Sequence, residues 1–273
     1  MKIAIVGMAC EFPGAGDLGA YWRLQLDGVD ATTDVPPDRF PIDAFHDPRP
    51  RTPGRIISRR GGFLPDIRGF DAQYFGVSGR EAAHMDPQQR LLLHTAAAAV
   101  QDAGLTMEQL AGSRTAVVVG QRTAEYWDLL RAAETLDIYA NVGTSRSVLS
   151  GRLSFFFDLR GPSTSVDTAC SSSLVAVHQA CATLRAGEAT LALAGASTWC
   201  SPPRRASRSR RPTCSPRTAG ASSAPRTPTA SSAATASAWW SSSPSTGPRP
   251  TATGSTRSST ARRSRTRAAA AVT

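Results

Sequence analysis

The chain has 273 residues, enough for one large domain or two small ones, and a formal net charge of +10. That average would point to an anionic partner, but it hides a break. Residues 201–273 hold 13 Arg and no Lys, Asp or Glu, which leaves residues 1–200 with 18 basic and 21 acidic side chains. No apolar run reaches the roughly 18 residues that span a bilayer, which excludes a membrane-spanning helix. Five cysteines, at 10, 170, 181, 200 and 214, form neither a CxxC pair nor a metal-ligand spacing. An odd count without a signal peptide fits a reducing cytoplasm.

Taken in order, Ile3 to Val6 is a short apolar run ending at Gly7, the pattern of a buried parallel strand. Gly7-Met8-Ala9 lacks the GxGxxG spacing of a dinucleotide site. Tyr21 to Leu26 reads as a short helix, and residues 30–69, rich in Pro, Asp, Arg and Gly, read as a long surface excursion with little regular structure. Pro87 to Ala103 is strongly helical, with Asp86 as N-cap and Pro87 at the first helical position. Its His94 reads as a packing residue. Arg114 to Gly120 is a second buried strand, and residues 121–140 are amphipathic and mostly helical. A helix follows around Gly151-Arg152-Leu153-Ser154, then a strand at 164–169, a helix from Leu174, and a last strand at Thr190 to Thr198. Strands alternating with helices imply a layered, parallel α/β sheet.

The stretch that organises the chain is Val166-Asp167-Thr168-Ala169-Cys170-Ser171-Ser172-Ser173-Leu174. A β-branched approach leads into Cys170, and from there the apolar residues Leu174, Val177, Cys181 and Leu184 recur at helical spacing. Cys170 therefore stands where a strand hands over to a helix. Unpaired N–H groups and the dipole at a helix N-terminus favour a thiolate and can hold the oxyanion of an acyl-transfer intermediate. A buried structural cysteine is the competing reading for any Cys taken alone.

Residues 167–174, DTACSSSL, resemble the active-site stretch of β-ketoacyl synthases, specifically the ketosynthase domains of modular and iterative polyketide synthases. Further segments agree in the family's order. They include Gly7-Met8 with Phe12-Pro13-Gly14, Gly61-Gly62-Phe63-Leu64, Tyr74-Phe75-Gly76, Asp86-Pro87-Gln88-Gln89-Arg90, Gly151-Arg152-Leu153-Ser154 and Gly161-Pro162-Ser163. The resemblance covers residues 1 to about 202, which sets the expected domain division: a ketosynthase N-terminal region at 1–202 and a low-complexity basic tail at 203–273.

The resemblance implies a thiolase-like αβαβα fold, of which this chain supplies the N-terminal half. It implies the chemistry of an acyltransferase in polyketide or fatty acid chain elongation. An acyl group moves from an acyl carrier protein onto Cys170, and a malonyl-type extender on the carrier is decarboxylated and condensed with it. Phosphopantetheine belongs to the carrier, no cofactor is bound directly, and the enzyme is a cytoplasmic homodimer. Family members carry two catalytic histidines after the cysteine. The histidines here are His46, His84, His94 and His178, and none lies in an HGTGT-like or NIGH-like stretch. His178 lies eight residues along the nucleophile helix, about 12 Å of rise from Cys170, beyond hydrogen-bonding reach. Cys170 is thus the single assignable catalytic residue, and the chain is expected to be truncated and inactive in condensation. A catalytically dead partner protein fits less well, because such partners commonly lack the nucleophile that Cys170 retains.

Beyond residue 200 the only large apolar residues are Trp239, Trp240 and Val272, too few to offset the entropy of ordering. The expectation is a disordered tail produced by a frameshift between about residues 200 and 213. Moving the frame back one base converts Pro225 through Ser245, with permitted codons, into AADADGFVRSDGVGVVVLKPL, a Gly- and Val-rich strand of ketosynthase type. The single Trp codon forces valine in place of Trp240. The alternatives are a flexible linker and a non-catalytic thiolase-like scaffold whose Arg-rich arm binds nucleic acid.

Overall fold

The structure, a computed structural model, describes residues 2–50, 52–122 and 125–198, with the backbone of two further strands at 237–242 and 270–272. In chain order the elements are β1 (Met8–Glu11), α1 (Leu18–Leu26), β2 (Thr33–Asp34), β3 (Arg60–Gly61), α2 (Gly79–His84), α3 (Pro87–Asp102) and α4 (Met107–Leu110). There follow β4 (Thr115–Gln121), α5 (Tyr126–Ala132), α6 (Ile138–Thr144), α7 (Val148–Phe156), β5 (Ser163–Val166), α8 (Ser172–Ala186), β6 (Leu191–Ser197), β7 (Ser237–Ser242) and β8 (Ala270–Val272).

β4 is the axis of the sheet. All seven of its residues are buried, and it pairs in parallel with β5 on one side and β6 on the other. Its side chains alternate between two layers. Val117 and Val119 join Leu92, Leu93, Ala96, Leu149, Leu153 and Phe157 in the larger core. Ala116 and Val118 meet Ala176, Ala180 and Leu184 of α8 in a smaller one. Helices thus cover the sheet on both faces, as the alternation of elements implied.

α3 starts as its sequence dictates: the Asp86 carboxylate accepts the Gln88 N–H at 2.8 Å, and Pro87 occupies the first turn, where no donor is needed. The excursion at 30–69 is more organised than expected. β2 and β3 pair across it, and Val35, Phe40 and Ile56 form a small apolar core of their own.

The expected parallel strand at Ile3 to Val6 is corrected. The regular strand is β1, Met8–Glu11, antiparallel to β7, and Ile5 is exposed. An apolar run alone does not distinguish a strand from the extended segment leading into one. Gly7 marks the junction, where an added Cβ would lie 2.4 Å from the Ala99 carbonyl of α3.

Within the tail expected to be disordered, the structure instead places two strands. β7 lies antiparallel to β1 and β6, and β8 adjoins β6 and β7. The sheet offers β7 two partners at once, so its backbone groups are satisfied by pairing whatever the composition. β7 falls on the residues that the shifted frame reads as VGVVVL. The rest of 203–273 lies outside the described residues.

Candidate active site

Cys170 is exposed and sits in a 3-10 turn, Ala169–Ser171, between β5 and α8. The handover from strand to helix is therefore where the sequence put it. The corner is tight because α8 approaches β4 closely. An added Cβ on Gly120 would lie 2.7 Å from the Ser172 carbonyl carbon, so only glycine lets the first turn of α8 rest on the strand.

The turn is held by short-range hydrogen bonds. The buried Ser172 hydroxyl accepts the Thr168 N–H at 3.0 Å and donates to the Ala169 carbonyl at 2.8 Å. Ser171 donates to the Thr168 carbonyl at 2.8 Å. Asp167 accepts the Ala169 N–H at 3.0 Å, and its other oxygen pairs with Arg146. Ala169 itself has φ 56°, in the left-handed region that alanine avoids. Sequence reasoning singled out Cys170 as a candidate and missed this frame. The only local signal was Asp167 two residues before Ala169, the spacing of an Asx turn.

The helical stripe proposed for α8 is corrected in one respect. Leu184 is buried, but Leu174 is 75% exposed, and the residues facing the sheet are Ser172, Ala176 and Ala180. Small side chains allow the close approach, Val177 and Leu184 pack into the same core, and Leu174 turns outward. Cys181 is half-buried.

None of the histidines stands in this corner. His84 bonds the carbonyls of Arg80 and Thr135 at 2.8 and 2.7 Å. Carbonyls only accept, so the ring donates from both nitrogens, and those bonds, that to Arg80 first, raise its pKa. His94 is stacked on Phe70 and packs at a tilt against Phe75, and burial lowers its pKa. His46 belongs to the excursion, bridged to Ile56. His178 is exposed on α8.

The other described cysteine of chemical interest, Cys10, is buried, and desolvation, with Asp17 and Glu11 nearby, pushes its thiol up to about 11. Cys200 and Cys214 lie outside the described residues. Among the described residues no three His, Cys, Asp or Glu side chains converge as a metal set, and no helix is long and apolar enough to cross a membrane.

Comparison with known proteins matches residues 1–239 to the family of the β-ketoacyl synthase N-terminal domain. The chain is 49% identical over 195 residues to a phenolphthiocerol/phthiocerol polyketide synthase of Mycobacterium tuberculosis, covering 71% of this chain and 13% of that protein. It is 46% identical over 206 residues to the phthioceranic/hydroxyphthioceranic acid synthase of Mycobacterium bovis, covering 75% and 10%. Among solved structures it resembles the oxazolomycin ketosynthase domain of Streptomyces albus, with a TM-score of 0.67 and 38% identity over 72% of this chain and 34% of that one. It also resembles the ketosynthase from module 6 of the bacillaene synthase of Bacillus subtilis, with a TM-score of 0.64 and 34% identity over 72% and 32%. The chain thus spans about a third of the solved ketosynthase chains and 10–13% of the polyketide synthases.

Proposed function

Since the chain belongs to the β-ketoacyl synthase family through its N-terminal domain, with the thiolase-like fold of its ketosynthase neighbours, we propose that Cys170 is the thiol that accepts the acyl group. The observation that carries the reading is the exposed cysteine on a glycine-permitted corner at the start of α8.

The Cys170 sulfur attacks the carbonyl of an acyl thioester presented by the phosphopantetheine arm of an acyl carrier protein. A C–S bond forms, the carbonyl oxygen takes the negative charge, and the N–H of Cys170 serves as one of its donors. Collapse expels the pantetheine sulfur, which leaves as the thiol with the proton Cys170 gave up. In condensation a malonyl-type extender loses CO₂. The resulting carbanion attacks the acyl carbonyl on Cys170 and returns the sulfur as thiolate. That half-reaction needs groups that polarise the extender's carbonyl, and the positions of His46, His84, His94 and His178 do not supply them. This chain alone therefore accepts an acyl group without completing condensation.

Two organisational points belong to the same reading. β5 is an edge of the described sheet and Phe155 beside it is 88% exposed; an edge with free backbone groups suits strand pairing between two copies in a homodimer. We also propose the division at about residue 202, with a tail translated from a shifted frame; the pairwise matches to the polyketide synthases span 195–206 residues, whereas the family match runs on to residue 239. The site of action is the cytoplasm.

The test is to incubate the chain with an acyl-carrier thioester and a malonyl carrier protein. Acyl-enzyme should form, Cys170→Ala should abolish it, and no β-keto product should appear. A β-keto product from this chain would overturn the inactive reading, and acyl-enzyme surviving in Cys170→Ala would overturn the assignment of the thiol.

A further inference from the structure

We infer that Arg146 and Asp167 are positioning residues for the Cys170 thiol, fixing the turn that presents it. The inference rests on the reading of Cys170 as the acyl acceptor.

Ala169, immediately before Cys170, has φ 56°, a left-handed conformation that residues with a Cβ avoid. Such a residue keeps its angle only if the surroundings hold it. Two clasps do so. The inner one is Ser172, 3% exposed, whose hydroxyl ties Thr168 N–H to the Ala169 carbonyl. The outer one is the Asp167 carboxylate. One of its oxygens accepts the Ala169 N–H at 3.0 Å; the other takes the Arg146 guanidinium, which also donates to the Arg122 carbonyl at 3.3 Å. Arg146 lies between α6 and α7, and Arg122 just past β4. The guanidinium therefore ties the ends of β4 and β5 to one point, from which a single hydrogen bond reaches the residue before the thiol. Arg146 acts on the thiol only through Asp167.

The side chains of both partners are more than a third exposed, at 48% and 40%, and an exposed pair contributes little to global stability. The pair is thus placed to set local geometry without holding the fold. Losing it should misalign acyl transfer, which needs the thiol and helix N–H groups in register. Plain alkylation, which needs only an accessible thiol, should be spared.

The test uses the full chain. Acylation of Cys170 by an acyl N-acetylcysteamine thioester and its alkylation by iodoacetamide are each followed by peptide mass mapping, with thermal unfolding as a control. Asp167→Ala should slow acylation about 5–10-fold, the worth of one lost hydrogen bond of roughly 1 kcal/mol, while alkylation changes less than twofold. Arg146→Met should slow acylation less, Arg146→Lys should restore most of the rate, and Arg146→Met with Asp167→Ala should be no slower than Asp167→Ala alone. Fast acylation of Cys170 with both single variants at the wild-type rate would overturn the positioning role and leave the thiol assignment standing. Absence of acylation in the wild type would overturn the thiol assignment itself. If Asp167→Ala proves too unstable to measure, Arg146→Met and Arg146→Lys decide: equal acylation rates for the two would refute the pairing.

Discussion

α3 and α8 pack on opposite faces of the same sheet, α3 over β1 and β7 and α8 over β4 and β6, and they do it with different materials. α3 buries Leu92, Leu93 and Val100 in a core that includes Phe157 and Leu153, and Leu91 against Leu64 and Ile67. α8 buries Ala176, Ala180 and Leu184 and leaves Leu174 in solvent. The first helix is a structural strut covered all along its inner face. The second trades apolar bulk for closeness, so that its first turn touches Gly120 and the cysteine ahead of it stands at the lip of the sheet. The main apolar core and the proposed acyl-accepting thiol thus lie on opposite sides of one sheet, and the helix that follows Cys170 is the less buried.

That contrast is open to direct attack. The largest effect should come from Leu92→Ala, which removes a side chain that is 0% exposed from the α3 layer. A loss of about 3–4 kcal/mol is expected, read as a falling denaturation midpoint.

Next is the start of the same helix. Burial pushes Asp86 up to about 6 from its ordinary 3.8, the Gln88 hydrogen bonds opposing it only in part. A carboxyl whose folded pKa is raised holds its proton more tightly when folded, so the wild type should lose stability as pH rises from about 4 to 6 and lose no more above that. Asp86→Asn should lack this slope, a relative change of up to roughly 3 kcal/mol in unfolding curves across that range.

Gly120→Ala probes the α8 side. Its Cβ would meet the Ser172 backbone at 2.7–2.8 Å and the Ser172 Cβ at 2.9 Å. A cost of about 1–3 kcal/mol is expected from the displaced helix, together with slower acylation of Cys170. Loss of stability with full acylation would break the link between helix closeness and thiol placement. The smallest effect should be that of Leu174→Ser, within about 0.5 kcal/mol because the side chain is already solvated. A large loss would mean that this face is covered in solution.

The sequence announced α3 plainly, since Asp86-Pro87 marks its start and the leucines its face. β4 and β6 were legible as uninterrupted apolar runs bounded by turns. The face of α8 was legible only in part: Val177 and Leu184 do pack into the core, but ranking by hydrophobicity also chose Leu174, whereas the sheet accepts what fits closely, and alanine fits. β1 was misplaced by a few residues because Ile3 to Val6 is as apolar as a strand without being one. β2 and β3 have only two residues each and arise from the folding-back of the excursion. At the candidate site, the place of Cys170 at a strand-to-helix corner could be read from its neighbours in the chain. Arg146 could not, since it reaches Asp167 across 21 residues and through a turn whose geometry exists only once β4 and β5 are paired.

The most direct measurement is a cysteine-resolved map of the native chain after brief exposure to an acyl thioester. The acyl group should be found on Cys170, ahead of half-buried Cys181, with Cys10 unmodified because it is buried and its thiol is raised to about 11. Acyl groups on Cys10 or Cys181 before Cys170, or a Cys170 that stays free, would contradict the account.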